Sequence, residues 1–134
     1  MGLQDYLALA KIALEIEGTE KVSENSYILK TTGRTFNLYQ QGRQVVLEGS
    51  VGTPIKSTSE ASAMLSELLQ FNLKRTQFLS NIIFLDKETH QLFLREVFSE
   101  PGMSPEQLKE KLEDFVLNIE VIENRFFKKE TALN

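Results

Sequence analysis

The sequence predicts a small α+β protein, in which a twisted antiparallel sheet carries packed helices in the order α-β-β-β-α-β-β-α. Three observations support this: apolar residues recur at helical spacing in three segments, five short segments are rich in β-branched and aromatic residues, and turn residues separate neighbouring strand segments. The 134 residues fit one domain spanning 1–134, with residues 130–134 lacking a pattern and expected to fray.

The first helix is predicted from Leu3 to Glu17, with Gly18 as its stop. Beside its main apolar stripe lies a second row, formed by Leu9, Ile12 and Ile16. A helix that only covers one sheet needs a single stripe, so the second row indicates an additional contact surface.

Two further helices have clear start signals. Ser57 and Glu60 fit a capping box that opens a second helix reaching Leu73. Ser104, followed by Pro105, opens a third helix whose apolar residues repeat in steps of four and three as far as Phe126.

Five segments are predicted as strands, and the polar stretch before them is predicted as a connection. The strand segments are Tyr27–Thr31, Thr35–Tyr39, Val45–Val51, Leu79–Leu85 and Gln91–Phe98. Glycine-containing turns join the first three, and residues 86–89 form the turn of a second hairpin.

The residues offer little catalytic chemistry. Cysteine is absent, and the single histidine, His90, falls beside a turn where a solvated imidazole is expected. Glu113, Asp114, Glu120 and Glu123 are predicted to lie on the solvated face of the third helix. We therefore expect no catalytic, cofactor or metal site, and no enzyme.

Charge and hydropathy limit the classes of partner that the protein can bind. Fifteen basic residues stand against nineteen acidic ones, which disfavours nucleic acid, since its binding needs clustered cations. No apolar run approaches the roughly 20 residues that span a bilayer, and no secretory signal is recognised. A cytoplasmic protein without membrane insertion is expected.

Several strand segments carry large apolar residues on both faces, as in Ile82 and Phe84 against Ile83 and Leu85. The helices of one subunit normally cover one sheet face. Large exposed apolar patches on soluble proteins usually mark contact sites, so the other face is expected to bind a partner, unless long side chains of the same chain cover it.

Three stretches resemble class I type III secretion chaperones. They are LSELLQFNL in the second helix, IIFLDKETHQLFLREVF in the hairpin and SPEQLKEKLEDFVLNIEVIENRF in the third helix. The resemblance covers most of the chain in order. It implies a chaperone that binds the N-terminal region of a secreted effector in extended form and keeps it competent for export without ATP.

The resemblance also implies a homodimer, with the secretion ATPase as a further partner. The dimer interface is expected at Leu65, Leu68, Leu69, Ile83 and Leu85. The effector-binding residues are expected to be Leu9, Ile12, Ile16, Ile28, Phe36, Leu38 and Val46. The alternative that the residues leave open is a small-molecule or peptide-binding sensor module on a similar α+β scaffold.

Overall fold

The computed structural model of the protein describes residues 2–55, 59, 62–64, 66–67, 70, 81–99 and 103–127. Two described helices, an N-terminal and a C-terminal one, accompany a six-stranded antiparallel sheet. The helices are Leu3–Ala13 and Pro105–Phe126, and the strands are β1 Gly18–Ser23, β2 Ser26–Thr31, β3 Arg34–Gln41, β4 Gln44–Val51, β5 Asn81–Leu85 and β6 Leu92–Ser99. The predicted α+β class is confirmed.

The predicted second helix is described only in part. Ser59, Gln70 and the described residues 62–64 and 66–67 are helical. The expected interface residues Leu65, Leu68 and Leu69 lie outside the described residues, as does the tail at 130–134.

The strand order is β1-β2-β3-β4-β6-β5. β5 therefore lies at the far edge of the sheet, and β6, which follows it in the chain, lies between β4 and β5. The prediction of a polar connection after the first helix is wrong, because residues 18–23 form β1. All six of its residues are exposed, so this edge strand has no buried face. It therefore lacks the apolar alternation by which strands are recognised in a sequence.

The N-terminal helix ends at Ala13, four residues before its predicted end. Glu15 adopts a left-handed backbone with φ of 52°, and the Ile16 amide donates to the Lys11 carbonyl at 3.0 Å. This is the hydrogen-bond pattern of a Schellman cap, in which glycine is the usual residue at the left-handed position. Glu15, and not Gly18, therefore takes the left-handed position that ends the helix, and Gly18 is the first residue of β1.

The C-terminal helix begins as predicted. The Ser104 hydroxyl accepts from the Gln107 amide at 3.2 Å, and the Gln107 side chain accepts from the Ser104 amide at 2.9 Å. Pro105 occupies the first helical position, where its missing N–H costs nothing.

The helices cover one face of the sheet, which we call the inner face. The five buried residues of the C-terminal helix pack there, and they are Leu108, Leu112, Phe115, Ile119 and Ile122. At Gly49 the helix comes so close that an added Cβ would lie 2.7 Å from Ile119 and 3.0 Å from Phe115 and Phe36. Glycine is therefore required by space at this point in β4.

A polar cluster fixes the end of the same helix. Glu123 accepts hydrogen bonds from the Arg34 guanidinium and, at 2.9 Å, from the Gly52 amide. Gly52 has a φ of 63°, and a Cβ there would lie 2.5 Å from the Phe127 ring. The prediction that Glu123 lies on a solvated face is wrong, because the last turns of the helix lie against the ends of β3 and β4, where Arg34 and Gly52 bind its carboxylate.

Replacing Gly49 with alanine is expected to lower the free energy of unfolding by about 1–3 kcal/mol, the usual cost of overpacking a core. Gly18→Ala is the matched control, because nothing lies within 4 Å of a Cβ at that position. Urea unfolding of both variants measures the difference. Equal stability of the two variants would show that the helix does not approach β4 this closely.

Replacing Glu123 with alanine is expected to cost about 1–3 kcal/mol, since Arg34 and the Gly52 amide then lose their shared acceptor in a part-buried position. Glu120→Ala, on the exposed side of the same helix, is expected to change stability by less than about 0.5 kcal/mol. Thermal unfolding of the two variants gives the comparison, and similar shifts for both would contradict the role assigned to Glu123.

Candidate functional site: two open apolar surfaces

The second face of the sheet, which we call the outer face, is packed by no described helix. Its side chains come from alternate residues of five adjacent strands. They are Ile28 of β2, Tyr39 of β3, Val46 and Glu48 of β4, Phe93, Arg95 and Val97 of β6, and Ile82 and Phe84 of β5. These side chains surround one acidic and one basic residue together with polar residues of the same face, such as Asn37, which pairs with both Ile28 and Glu48.

Those two charges are paired at the centre of the outer face. Glu48 and Arg95 are direct cross-strand neighbours, and the guanidinium donates to the carboxylate at 2.8 Å. The Tyr39 hydroxyl donates to the same Glu48 oxygen at 2.8 Å. Burial, together with this hydrogen bond to Glu48, raises the pKa of Tyr39, so the phenol stays a donor at neutral pH. The network satisfies a carboxylate that is only 8% exposed.

Aromatic contacts extend the network toward the sheet edge. The Arg95 guanidinium lies 4.4 Å from the centre of the Phe84 ring, and Phe84 stacks on Phe93 with ring centres 5.6 Å apart. Beside them Ile82 is 49% exposed. Arg95 is therefore held by a carboxylate on one side and a ring on the other, beside the exposed Ile82.

A second open surface lies on the N-terminal helix. Ile12 is 70% exposed, while Leu9 and Ile16 are partly buried and pack against the core with part of their surface open. Leu9 and Ile12 lie on the helix, whereas Ile16 follows the left-handed Glu15 beyond its end, and we call these three residues the helix patch.

The predicted effector-binding residues of the sheet divide between its two faces. Ile28 pairs directly with Asn37, so Phe36 and Leu38 on either side of Asn37 point the opposite way. Both are 1% exposed in the core beneath the helices. The expectation that they face outward with Ile28 and Val46 is wrong, because the strand register was not known and a slip of one residue inverts the face.

The predicted dimer-interface residues of β5, Ile83 and Leu85, both lie on the inner face. Ile83 is 4% exposed on the inner face, and Leu85 is half-buried against the same core. Their neighbours Ile82 and Phe84, which the site prediction left out, carry the open surface of this strand. The alternation of β5 was visible in the sequence, whereas the choice of face depended on the pairing with β6.

The described residues hold no group of three or more His, Asp or Glu side chains able to bind a metal ion. His90 is exposed and closes the β5–β6 turn, where its amide donates to the Asp86 carbonyl at 2.8 Å. In the described part of the chain, no helix is long and apolar enough to span a membrane. The exposed apolar side chains of the outer face and the helix patch are suited to binding another molecule by surface contact.

Three solved structures share this fold over most of their length. The ExsC–ExsE complex contains a chain with a TM-score of 0.68 and 15% identity, covering 92% of this chain and 93% of that one. The HopA1–SchA chaperone–effector complex gives 0.62 at 14% identity, with coverage of 88% and 92%. YbjN from E. coli, a proposed transcription regulator, gives 0.61 at 15% identity, with 93% of each chain covered.

Sequence comparison supplies the family. No curated protein shows significant similarity to the chain. The sequence profile of the Tir chaperone protein (CesT) family matches residues 9–122. That match spans both open surfaces and most of the C-terminal helix, and it confirms the resemblance to type III secretion chaperones; the chain belongs to the Tir chaperone protein (CesT) family.

Proposed function

We propose that this protein is a cytoplasmic chaperone that binds the N-terminal region of a type III secretion effector in extended form and acts without ATP or catalysis. The observation that carries the proposal is apolar surface left open on a well-packed fold, with Ile12 at 70% and Ile82 at 49% exposure. Family membership supports the same function, as does the fold shared with the chaperone–effector complex of HopA1 and SchA. YbjN has the same fold, so the family match favours a chaperone over a sensor module.

The effector contacts are proposed at the helix patch of Leu9, Ile12 and Ile16 and at Ile28 and Val46 on the outer face. Ile12, at 70% exposure, is the most exposed residue of the set. Val46 is 3% exposed and pairs directly with Tyr39 on one side and with Val97 on the other. It therefore shapes the surface more than it contacts a partner. Burying such side chains contributes about 25 cal/mol per Å² before the cost of ordering the effector is subtracted.

The outer edge of β1 offers a further mode of binding. Its residues are all exposed and pair with β2 on one side only. An extended effector segment could add a strand there through main-chain hydrogen bonds. Such bonds are largely independent of side-chain identity, which suits a partner held in non-globular form.

A homodimer is proposed through the second helix and β5, with Leu65, Leu68, Leu69 and Leu85 as its core, whereas Ile83 is buried in its own subunit. The burial of Ile83 inside its own subunit puts the direct contact of β5 on the outward side chains of Ile82 and Phe84. β5 ends the sheet, and no described strand pairs with its far edge, where a symmetry mate could bind. The secretion ATPase is proposed as a further partner on the family resemblance alone.

Replacing Ile12 with aspartate is expected to weaken effector binding at least tenfold, because it removes an apolar contact and places a charge in the helix patch. Leu117→Asp is the matched control, since Leu117 is 56% exposed on the opposite side of the C-terminal helix from its buried stripe. Calorimetric titration with the effector's N-terminal region, identified by co-expression with the type III effectors of the same organism, measures both variants.

Equal affinity of the Ile12 variant and the unaltered protein would contradict the helix patch as an effector site. A failure of the unaltered protein to retain any type III effector on co-expression would overturn the chaperone function itself.

The dimer proposal predicts a mass in solution of twice 15.3 kDa at micromolar concentration. Ile82→Arg is expected to shift the population to monomers, because it would place uncompensated charges against each other across a two-fold axis. Light scattering measures both masses, and Ile12→Arg is the control at a second exposed isoleucine. A monomeric unaltered protein would refute the dimer, whereas a dimeric Ile82→Arg variant would place its interface elsewhere.

A further inference from the structure

The register of the sheet places one row of side chains across the whole outer face. Its members are successive direct cross-strand partners, in the order Ile28, Asn37, Glu48, Arg95 and Ile82. Because neighbouring strands lie about 4.8 Å apart, the row is roughly 19 Å long. We call it the cross-strand row. It is apolar at its two ends and polar at its centre.

The polar centre has hydrogen-bonding capacity that its own contacts leave unused. The Tyr39 hydroxyl and the Arg95 Nε both donate to Oε2 of Glu48, and the Arg95 Nη2 lies 2.8 Å from the same oxygen. Oε1 of Glu48 and the Asn37 carboxamide make no hydrogen bond to another described residue. The Arg95 side chain is 42% exposed, and its guanidinium has five N–H groups, more than its bonds to Glu48 use.

This capacity limits what can cover the row. A partner that covered it with carbon atoms alone would remove water from these groups without replacing the hydrogen bonds, which is unfavourable. A charged side chain fits poorly, because attraction to either Glu48 or Arg95 is offset by repulsion from the other. The group that suits both is uncharged and carries one donor and one acceptor, as an amide does.

The main chain of an extended segment supplies such amides along its whole length. A second copy of this chain does not, because the N–H and C=O groups of its sheet are already paired within the sheet. The row also starts at Ile28, which is proposed above as an effector contact, and ends at Ile82, which is proposed as a dimer contact. Its centre therefore continues the effector site toward the subunit boundary.

We propose that the centre of the cross-strand row binds the main chain of the effector, with Glu48 accepting from a peptide N–H and Asn37 and Arg95 donating to peptide carbonyls. This inference rests on the chaperone function proposed above. From Ile28 to Arg95 the row measures roughly 14 Å, which about four residues of extended chain span. Those residues are expected to be uncharged, since a charge there would oppose one member of the ion pair.

The network holds the proposed site in place before binding. Arg95 is fixed by Glu48 and by the Phe84 ring, 4.4 Å from its guanidinium carbon, and Tyr39 holds the Glu48 oxygen that faces away from the partner. Little conformational freedom is therefore lost when these groups bind a peptide.

The test uses the full chain and the effector region that it retains on co-expression. Glu48→Gln is expected to weaken binding at least tenfold, because Tyr39 and Arg95 hold the carbonyl oxygen of glutamine and its NH₂ group then meets a peptide N–H. Glu113→Gln, the same substitution at an exposed residue of the C-terminal helix, is expected to leave the affinity unchanged. Calorimetric titration measures both variants.

Synthetic peptides of the effector region, each with one N-methylated amide, identify the group that Glu48 binds. At one position the methyl group is expected to weaken binding to the unaltered protein at least tenfold, and to have less than about a twofold effect on the Glu48→Gln variant, whose bond is already lost. Coupling of Glu48 to an effector side chain, found by alanine replacement along the same peptides, would overturn the main-chain assignment.

A second variant keeps the test decisive if Glu48→Gln unfolds. Asn37→Leu leaves the ion pair intact and adds apolar surface, so it strengthens binding if the row makes only apolar contacts, whereas we expect it to weaken binding. Stronger binding of this variant, unchanged affinity of Glu48→Gln, or loss of the dimer without loss of effector affinity would overturn the proposal and leave the chaperone function standing. If the unaltered protein retains no effector, the chaperone function fails and this inference fails with it.

Discussion

Burial of the C-terminal helix on the inner face of the sheet is the contact on which the rest of this structure depends. The helix supplies five core residues, and its closest approach requires glycine at position 49. Because that face is filled by the chain's own helices, the apolar residues on the other side of the same strands have no described cover. The open outer face thus results from how the inner face is packed.

The two open surfaces differ in physical character, which bears on how an extended effector would be held. On the outer face, Arg95 is fixed between Glu48 and the Phe84 ring. The helix patch has no such polar network and is dominated by one large exposed residue, Ile12. A partner that uses both must change direction between them, which an unfolded segment does more readily than a folded domain.

Local sequence signals predicted the elements that have strong local signatures. Ser104, Pro105 and Gln107 identified the start of the C-terminal helix, and its apolar spacing identified the residues that are buried. β1 was missed because an exposed edge strand has no apolar alternation to detect. The N-terminal helix was drawn too long because Glu15 takes a backbone conformation that glycine usually signals.

The candidate site was predicted less completely than the fold, for a reason that lies in the sheet register. Alternation along β3 shows that Phe36 and Leu38 share a face, but only the pairing of Ile28 with Asn37 shows which face it is. The same holds for Ile82 and Ile83 in β5. Leu9 and Ile12 needed no such information, because residues three apart on one helix share a side, whereas Ile16 lies beyond the helix end.

The exposed edge strand has a consequence for solubility in a protein with so much open apolar surface. The unpaired N–H and C=O groups of an edge strand can pair with the same strand of another copy, so that sheets join edge to edge and aggregate. In β1 the charged residues Glu20 and Lys21 line this edge, and a register irregularity between Lys21 and Ser23 disturbs its ladder before the turn. The strand is thereby a poor template for pairing with a second copy of the chain, which lowers the tendency of its accessible edge to drive self-association.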